Sequence, residues 1–164
     1  MFGSLTLGGY DSSKFIPNNL TWDLAPADDR DLVVQIEGIT TGTNSSLLSE
    51  SIPAFLDSTV PYIYLPVAAC ELFETAFGLT WDNATGLYLL NDTQHTNLKN
   101  LNPNITFSLG NLTSTTKVDI TLPYSAFDLT VTYPHVSNST RYFPLQRATD
   151  VKDYTLGRTF FQEA

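Results

Sequence analysis

Thiols and imidazoles are scarce in this chain, which has one cysteine and two histidines among 164 residues. Cys70 alone cannot close a disulfide within the chain. It lies in "PVAACELFETAF", where Val67, Cys70, Leu72, Phe73 and Phe77 can share the buried side of a helix. It therefore reads either as an inert core thiol or as the partner of a cysteine elsewhere. His95 and His135 stand forty positions apart in polar surroundings, outside any metal-ligand spacing. They read as surface histidines, and no metal or cofactor is expected.

Basic side chains are also few: Lys and Arg total 8 against 17 Asp and Glu, for a net charge of -9 and a pI near 4.3. Such a surface repels a phosphate backbone, which excludes nucleic acid as a partner. It suits low pH, where protonating carboxylates brings the net charge towards zero. No apolar run approaches the roughly 18 residues of a membrane-spanning helix. The opening "MFGSLTLGG" has neither the basic head nor the apolar core of a signal peptide. No Gly-x-Ser-x-Gly elbow is present, and Gly8-Gly9 lacks the lysine and following helix of a phosphate cradle.

What is abundant is Asn-x-Ser/Thr, at Asn19, Asn44, Asn83, Asn91, Asn104, Asn111 and Asn138. That density points to a secreted, cell-surface or cell-wall glycoprotein. With no leader of its own, the segment is then expected to be excised from a longer precursor.

The patterning is mostly β. "GSLTLGGYD" alternates Leu5 and Leu7 with small polar residues, and "DLVVQIEGIT" sets Leu32, Val34 and Ile36 opposite Val33, Gln35 and Glu37. Further strands are expected in "GLYLLND", "NITFSLG", "KVDITLPYSAFDLTVTY", "RYFPLQRA" and "DYTLGRTFF". One clear helix is expected from Pro66 to Phe77, started by the proline and stopped by Gly78, with a turn or second short helix in "LPYSAFDL". Nothing divides the chain, so residues 1–164 form one domain.

Asp57 in "SIPAFLDSTVPYIYLP" is the residue with chemical promise. Apolar segments flank it, and burial or a second carboxylate nearby raises the cost of ionising such a group. Two carboxylates sharing a proton supply the acid and base that activate water. Ser58 and Thr59 are placed to hydrogen-bond around it. The plain alternative is an Asx-type turn.

The order of segments around Asp57 resembles the C-terminal lobe of the pepsin-like aspartic peptidases, above all divergent secreted or wall-associated members from filamentous fungi. "GSLTLGGYD" is similar to the opening strand of that lobe, "FLDSTV" to its second Asp-Thr/Ser-Gly-Thr/Ser loop, "NPNITFSLG" to its Pro-x-Ile-x-Phe strand, and "DYTLGRTFFQEA" to the segment that threads beside the catalytic loop. The resemblance implies a mostly β lobe of a bilobal fold with one or two short helices, ending before its last strand. It implies Asp57 as catalytic aspartate, Ser58, Thr59, Leu156 and Gly157 as loop support, and Tyr62 and Tyr64 beside a cleft for a peptide or protein substrate.

The motif is altered at two positions. Thr59 replaces a glycine that lets backbone approach the carboxylate, and Val60 replaces a hydroxyl residue. None of Asp11, Asp23, Asp92, Asp119 and Asp128 repeats the motif. The second carboxylate must therefore come from an N-terminal peptidase lobe, or from self-association. The expected function is the C-terminal half of a secreted aspartic endopeptidase, inactive alone; the alternative is a non-catalytic binding or cell-surface domain on the same scaffold.

Overall fold

The computed structural model describes residues 7–14, 16–17, 20–25, 30–42, 45–112 and 116–162. Alternation builds β1 (Val33–Thr41), where Val34 and Ile36 turn inward, but the register against β6 (Asn104–Gly110) shifts between Ile36 and Gly38. That bulge resets the phase, so Ile39 and Thr41 are the next inward residues. β1 also pairs antiparallel with β2 (Ile52–Leu56), while β6 pairs with β7 (Lys117–Pro123). With β3 (Ile63–Pro66), β10 (Leu145–Ala148) and β11 (Thr155–Leu156), these strands make a seven-stranded sheet ordered β10-β3-β11-β2-β1-β6-β7. A second sheet, ordered β4-β5-β9-β8, comprises β4 (Thr80–Asp82), β5 (Leu87–Leu90), β8 (Leu129–Val131) and β9 (Thr140–Phe143). The mostly β reading of the sequence is what the structure shows.

Helix α1 (Val67–Phe77) follows β3 without a loop and ends at Gly78, whose φ of 65° supplies the left-handed cap. Its buried residues are Ala69, Cys70, Phe73 and Phe77; Leu72 faces solvent, because it lies about 200° around the helix from Cys70. Cys70 is fully buried, and burial pushes its thiol up to about 12. It is a core residue. The segment "LPYSAFDL" contains a 3-10 helix, Tyr124–Phe127. The described part of the opening stretch, from Leu7 to Asp11, is bends and coil rather than strand, and Leu7 is exposed.

Helix α2 (Asp92–Leu101) has no counterpart in the apolar pattern of the sequence, since Leu98 is its buried anchor. Its ends hold it instead. Asn91 Oδ1 accepts the Gln94 N–H at 2.9 Å, Asn102 closes the C-terminus with φ 39°, and Asp92 and Lys99 complement the helix dipole. The expected surface histidine, His95, lies on this helix and is largely buried. Its Nε2 meets Asp128 Oδ2 at 2.9 Å, which explains how an imidazole is tolerated there. His135 is exposed in a turn.

A polar cluster joins the two sheets through α1. Glu74 Oε1 accepts hydrogen bonds from Tyr88 OH on β5 at 2.6 Å and from Arg147 Nη2 on β10 at 2.7 Å. The guanidinium also lies 5.1 Å from the Trp81 ring centre. Burial pushes the Glu74 carboxyl up, but the bonds from Tyr88 and Arg147 outweigh it and hold the group below its ordinary 4.5. A depressed carboxylate stabilises the fold fully above its unfolded value and loses that contribution as pH falls through the folded one. Arg147→Met is therefore expected to cost about 2 kcal/mol at neutral pH. The gap to wild type should close below the Glu74 midpoint. Denaturant unfolding at the two pH values checks this, and a gap independent of pH would show that the pair does not couple to stability.

Candidate functional site

Asp57 follows directly on β2, where the chain leaves the sheet and returns six residues later as β3. Between those two strands runs β11, parallel to β2 through Leu156↔Leu56 and antiparallel to β3 through Leu156↔Ile63. The loop from Asp57 to Tyr62 therefore arches over the end of a strand from the far end of the chain. Main-chain hydrogen bonds fasten the arch: Asp57 N–H donates to Leu156 O at 3.2 Å and Arg158 N–H to Val60 O at 2.7 Å. Thr159 donates to Pro61 O with both its N–H, at 3.3 Å, and its hydroxyl, at 2.8 Å.

Gly157 sits where the two segments cross. A Cβ there would lie 2.1 Å from Tyr62 O and 2.5 Å from Val60 O, so only glycine fits. Its φ of -91° and ψ of -165° are open to any residue. The requirement is one of space, not of backbone freedom.

The Asp57 carboxylate is held from one side. Oδ1 accepts the Thr59 N–H at 2.9 Å and the Thr59 hydroxyl at 2.6 Å. Among the described residues Ser58 adds no bond to it. Sequence reasoning expects flanking apolar segments to raise the cost of ionising Asp57; the structure shows the reverse. Asp57 is half-buried, but the Thr59 hydroxyl, then the Thr59 N–H, outweigh that burial and hold the carboxyl below the ordinary carboxylate value. Thr59 does this without left-handed backbone, since Asn102 is the one non-glycine with positive φ among the described residues.

Tyr64 lies on the face of β3 opposite Ile63 and Leu65, and Tyr62 ends the loop just before that strand. Both are half-buried, and the Tyr62 ring packs edge-on against Tyr64 and Tyr142, each at 6.2 Å. They form an aromatic row beside the loop rather than part of the closed core. Of the asparagines in glycosylation triplets, Asn19 and Asn44 lie outside the described residues. Asn83, Asn91, Asn104 and Asn138 are exposed, while Asn111 is half-buried with Nδ2 donating to Thr21 O at 3.4 Å.

Two features escaped the sequence. The Glu74–Tyr88–Arg147 cluster joins residues far apart in the chain and leaves no local pattern. The second is an open groove of about 780 Å3 lined by Leu24, Leu32, Leu56, Val118, Ile120 and Phe161, with Asp31 and Asp119 on it. It is the part of the core face, between β7 and the short helix α3 (Arg158–Phe161), that the described chain leaves uncovered. Among the described residues no group of three or more His, Cys, Asp or Glu is placed to hold a metal ion. Among the described residues no helix is long and apolar enough to cross a membrane.

The arrangement can be compared with known proteins. The whole chain, residues 1–164, matches the family model described as eukaryotic aspartyl protease. A protein named acid protease from Saccharomycopsis fibuligera is 31% identical over 131 residues, covering 75% of this chain and 30% of that protein. The solved structure of the aspartic proteinase from Irpex lacteus superposes with a TM-score of 0.64 at 22% identity, over 94% of this chain and 45% of that one. The chain thus spans less than half the length of either relative. Its strand-threaded aspartate loop and its whole-length match agree: this chain belongs to the eukaryotic aspartyl protease family.

Proposed function

We propose that this chain is the C-terminal half of a secreted acid endopeptidase, in which Asp57 shares one proton with an aspartate of a companion N-terminal lobe. The observation that carries the reading is the Asp57 carboxylate itself, fastened by Thr59 on a loop pinned over Leu156 and Gly157. A carboxylate held in a fixed place is what a dyad needs from each side. The uncovered apolar groove supports a covering companion. Exposed Asn83, Asn91 and Asn138 support glycan attachment during secretion.

In the two-lobed protein the dyad holds a water. As the water oxygen attacks the peptide carbonyl carbon, one carboxylate takes a water proton and the other carboxyl gives its proton to the carbonyl oxygen. The gem-diol then collapses, with the amine leaving as it gains a proton. One lobe supplies one carboxylate, so the 164-residue chain alone is catalytically silent.

The test is co-expression of both lobes in a secretory host, followed by an acid proteolysis assay. Asp57→Asn should reduce cleavage to background and the isolated chain should show none; equal cleavage by wild type and Asp57→Asn would remove Asp57 from the mechanism. The mass of the secreted protein before and after N-glycan removal reads the glycans. Val60, which has no hydroxyl to offer the carboxylate, favours a second reading, a non-catalytic binding or cell-surface domain. No cleavage by the wild-type two-lobed protein would decide for it.

A further inference from the structure

We infer that Thr59 is a positioning residue that commits Asp57 to carry the negative charge of the dyad, leaving the shared proton on the companion lobe's aspartate. The inference rests on the proposed dyad and assigns the roles within it. Asp57 is then the base that takes the water proton, and the companion carboxyl is the acid that protonates the carbonyl oxygen. No net proton is gained or lost in that step.

The geometry carries the assignment. Both donors of Thr59 converge on a single oxygen, Oδ1, with the hydroxyl at 2.6 Å and the N–H at 2.9 Å. Two donors on Oδ1 favour the ionised carboxylate over the acid whichever oxygen would carry a proton, and short bonds to an ionised acceptor are the stronger kind. A glycine at this position would offer the N–H alone. The adjacent Val60 offers no hydroxyl, so the side-chain donor on this carboxylate stands one residue closer to Asp57, at Thr59. The arch places these donors firmly, because Val60 O and Pro61 O are each tied to the first turn of α3. The same pairing of hydroxyl and N–H on one carboxylate oxygen recurs at Asp11 with Ser13 and at Asp82 with Thr85. The chain uses it there as turn chemistry, so the test must separate a held charge from a held turn.

Thr59→Val keeps the branched shape and the N–H but removes the hydroxyl, and Thr59→Ser restores it. The first measurement is the titration of the Asp57 carboxyl carbon by NMR in the 164-residue chain, with the amide fingerprint as the check on folding. The midpoint should move up in Thr59→Val and return in Thr59→Ser. An unchanged midpoint in a folded Thr59→Val protein overturns the inference, because Thr59 then only shapes the turn. The second measurement is the pH profile of kcat/KM in the two-lobed protein. Ionisation of Asp57 governs the acid limb, so Thr59→Val should move that limb up and lose about tenfold in kcat/KM at a pH on it. A limb that stays in place also overturns the assignment. Absence of all peptidase activity in the wild-type pair would instead sink the proposed function, while the NMR titration still decides whether Thr59 holds the charge on Asp57.

Discussion

Alanine at position 157 is expected to cost this lobe about 3 kcal/mol or more, a loss few single-methyl additions approach. The added Cβ meets two main-chain carbonyl oxygens, Tyr62 O at 2.1 Å and Val60 O at 2.5 Å, neither of which is the end of a flexible side chain. To make room the arch must lift. Lifting it stretches the Arg158 N–H bond to Val60 O, now 2.7 Å, and the two bonds from Thr159 to Pro61 O. At about 2–4 °C per kcal/mol for a chain of this size, the melting temperature should fall by roughly 10 °C. Gly38→Ala is the control, because its Cβ would enter open space. It should remain within about 1 kcal/mol of wild type. The Gly157 effect should also reach the site, since Asp57 N–H donates to Leu156 O in the same crossing. A Gly157→Ala protein that melts with the wild type would mean that the crossing is far looser than these distances imply.

The route from sequence to this crossing was uneven, for physical reasons. Period-two alternation in Val34 and Ile36, the Gly78 stop, and an aspartate between two apolar runs are local signals, and local signals survive in a sequence. The bulge that returns Ile39 to the core is not local, because it depends on pairing with β6. Nor is α2, whose ten residues offer the core one buried leucine and which depends on its caps and on His95 meeting Asp128. At the site, the resemblance pointed to Gly157, and hydrogen bonds around Asp57 are expected of both Ser58 and Thr59. In the folded loop Thr59 turns two donors onto Oδ1 while Ser58 adds none, a choice of torsion that residue identity alone does not state.

Phe143→Ala is expected to be comparably severe, because this ring lies where the two sheets meet. Phe143 ends β9 in the smaller sheet, and only Pro144 separates it from β10 in the larger one. Its ring is 1% exposed and stacks on Phe127 at 4.9 Å, with Phe77 at 5.6 Å and Phe73 at 6.1 Å. Four rings from a strand, a 3-10 helix and α1 thus share one apolar volume, which cannot collapse without moving all three elements. Truncation to alanine leaves a cavity and should cost about 3–5 kcal/mol, or roughly 10–15 °C in melting temperature. Phe143→Leu, which refills part of the space, should recover more than half of that. The site should feel the loss as well: Pro144 O accepts the Ile63 N–H at 3.0 Å, and Ile63 begins the strand that brings the Asp57 arch back into the sheet. Hydrogen exchange at the Ile63 amide should therefore accelerate in Phe143→Ala, by more than the exchange of the Ile105 amide on β6, a strand that pairs with β1 and β7 rather than with β3 or β9. If Phe143→Ala costs less than about 1 kcal/mol, the cluster is not the joint between the sheets. If the cost is large but Ile63 and Ile105 exchange alike, the joint exists and the path from it to the Asp57 loop does not.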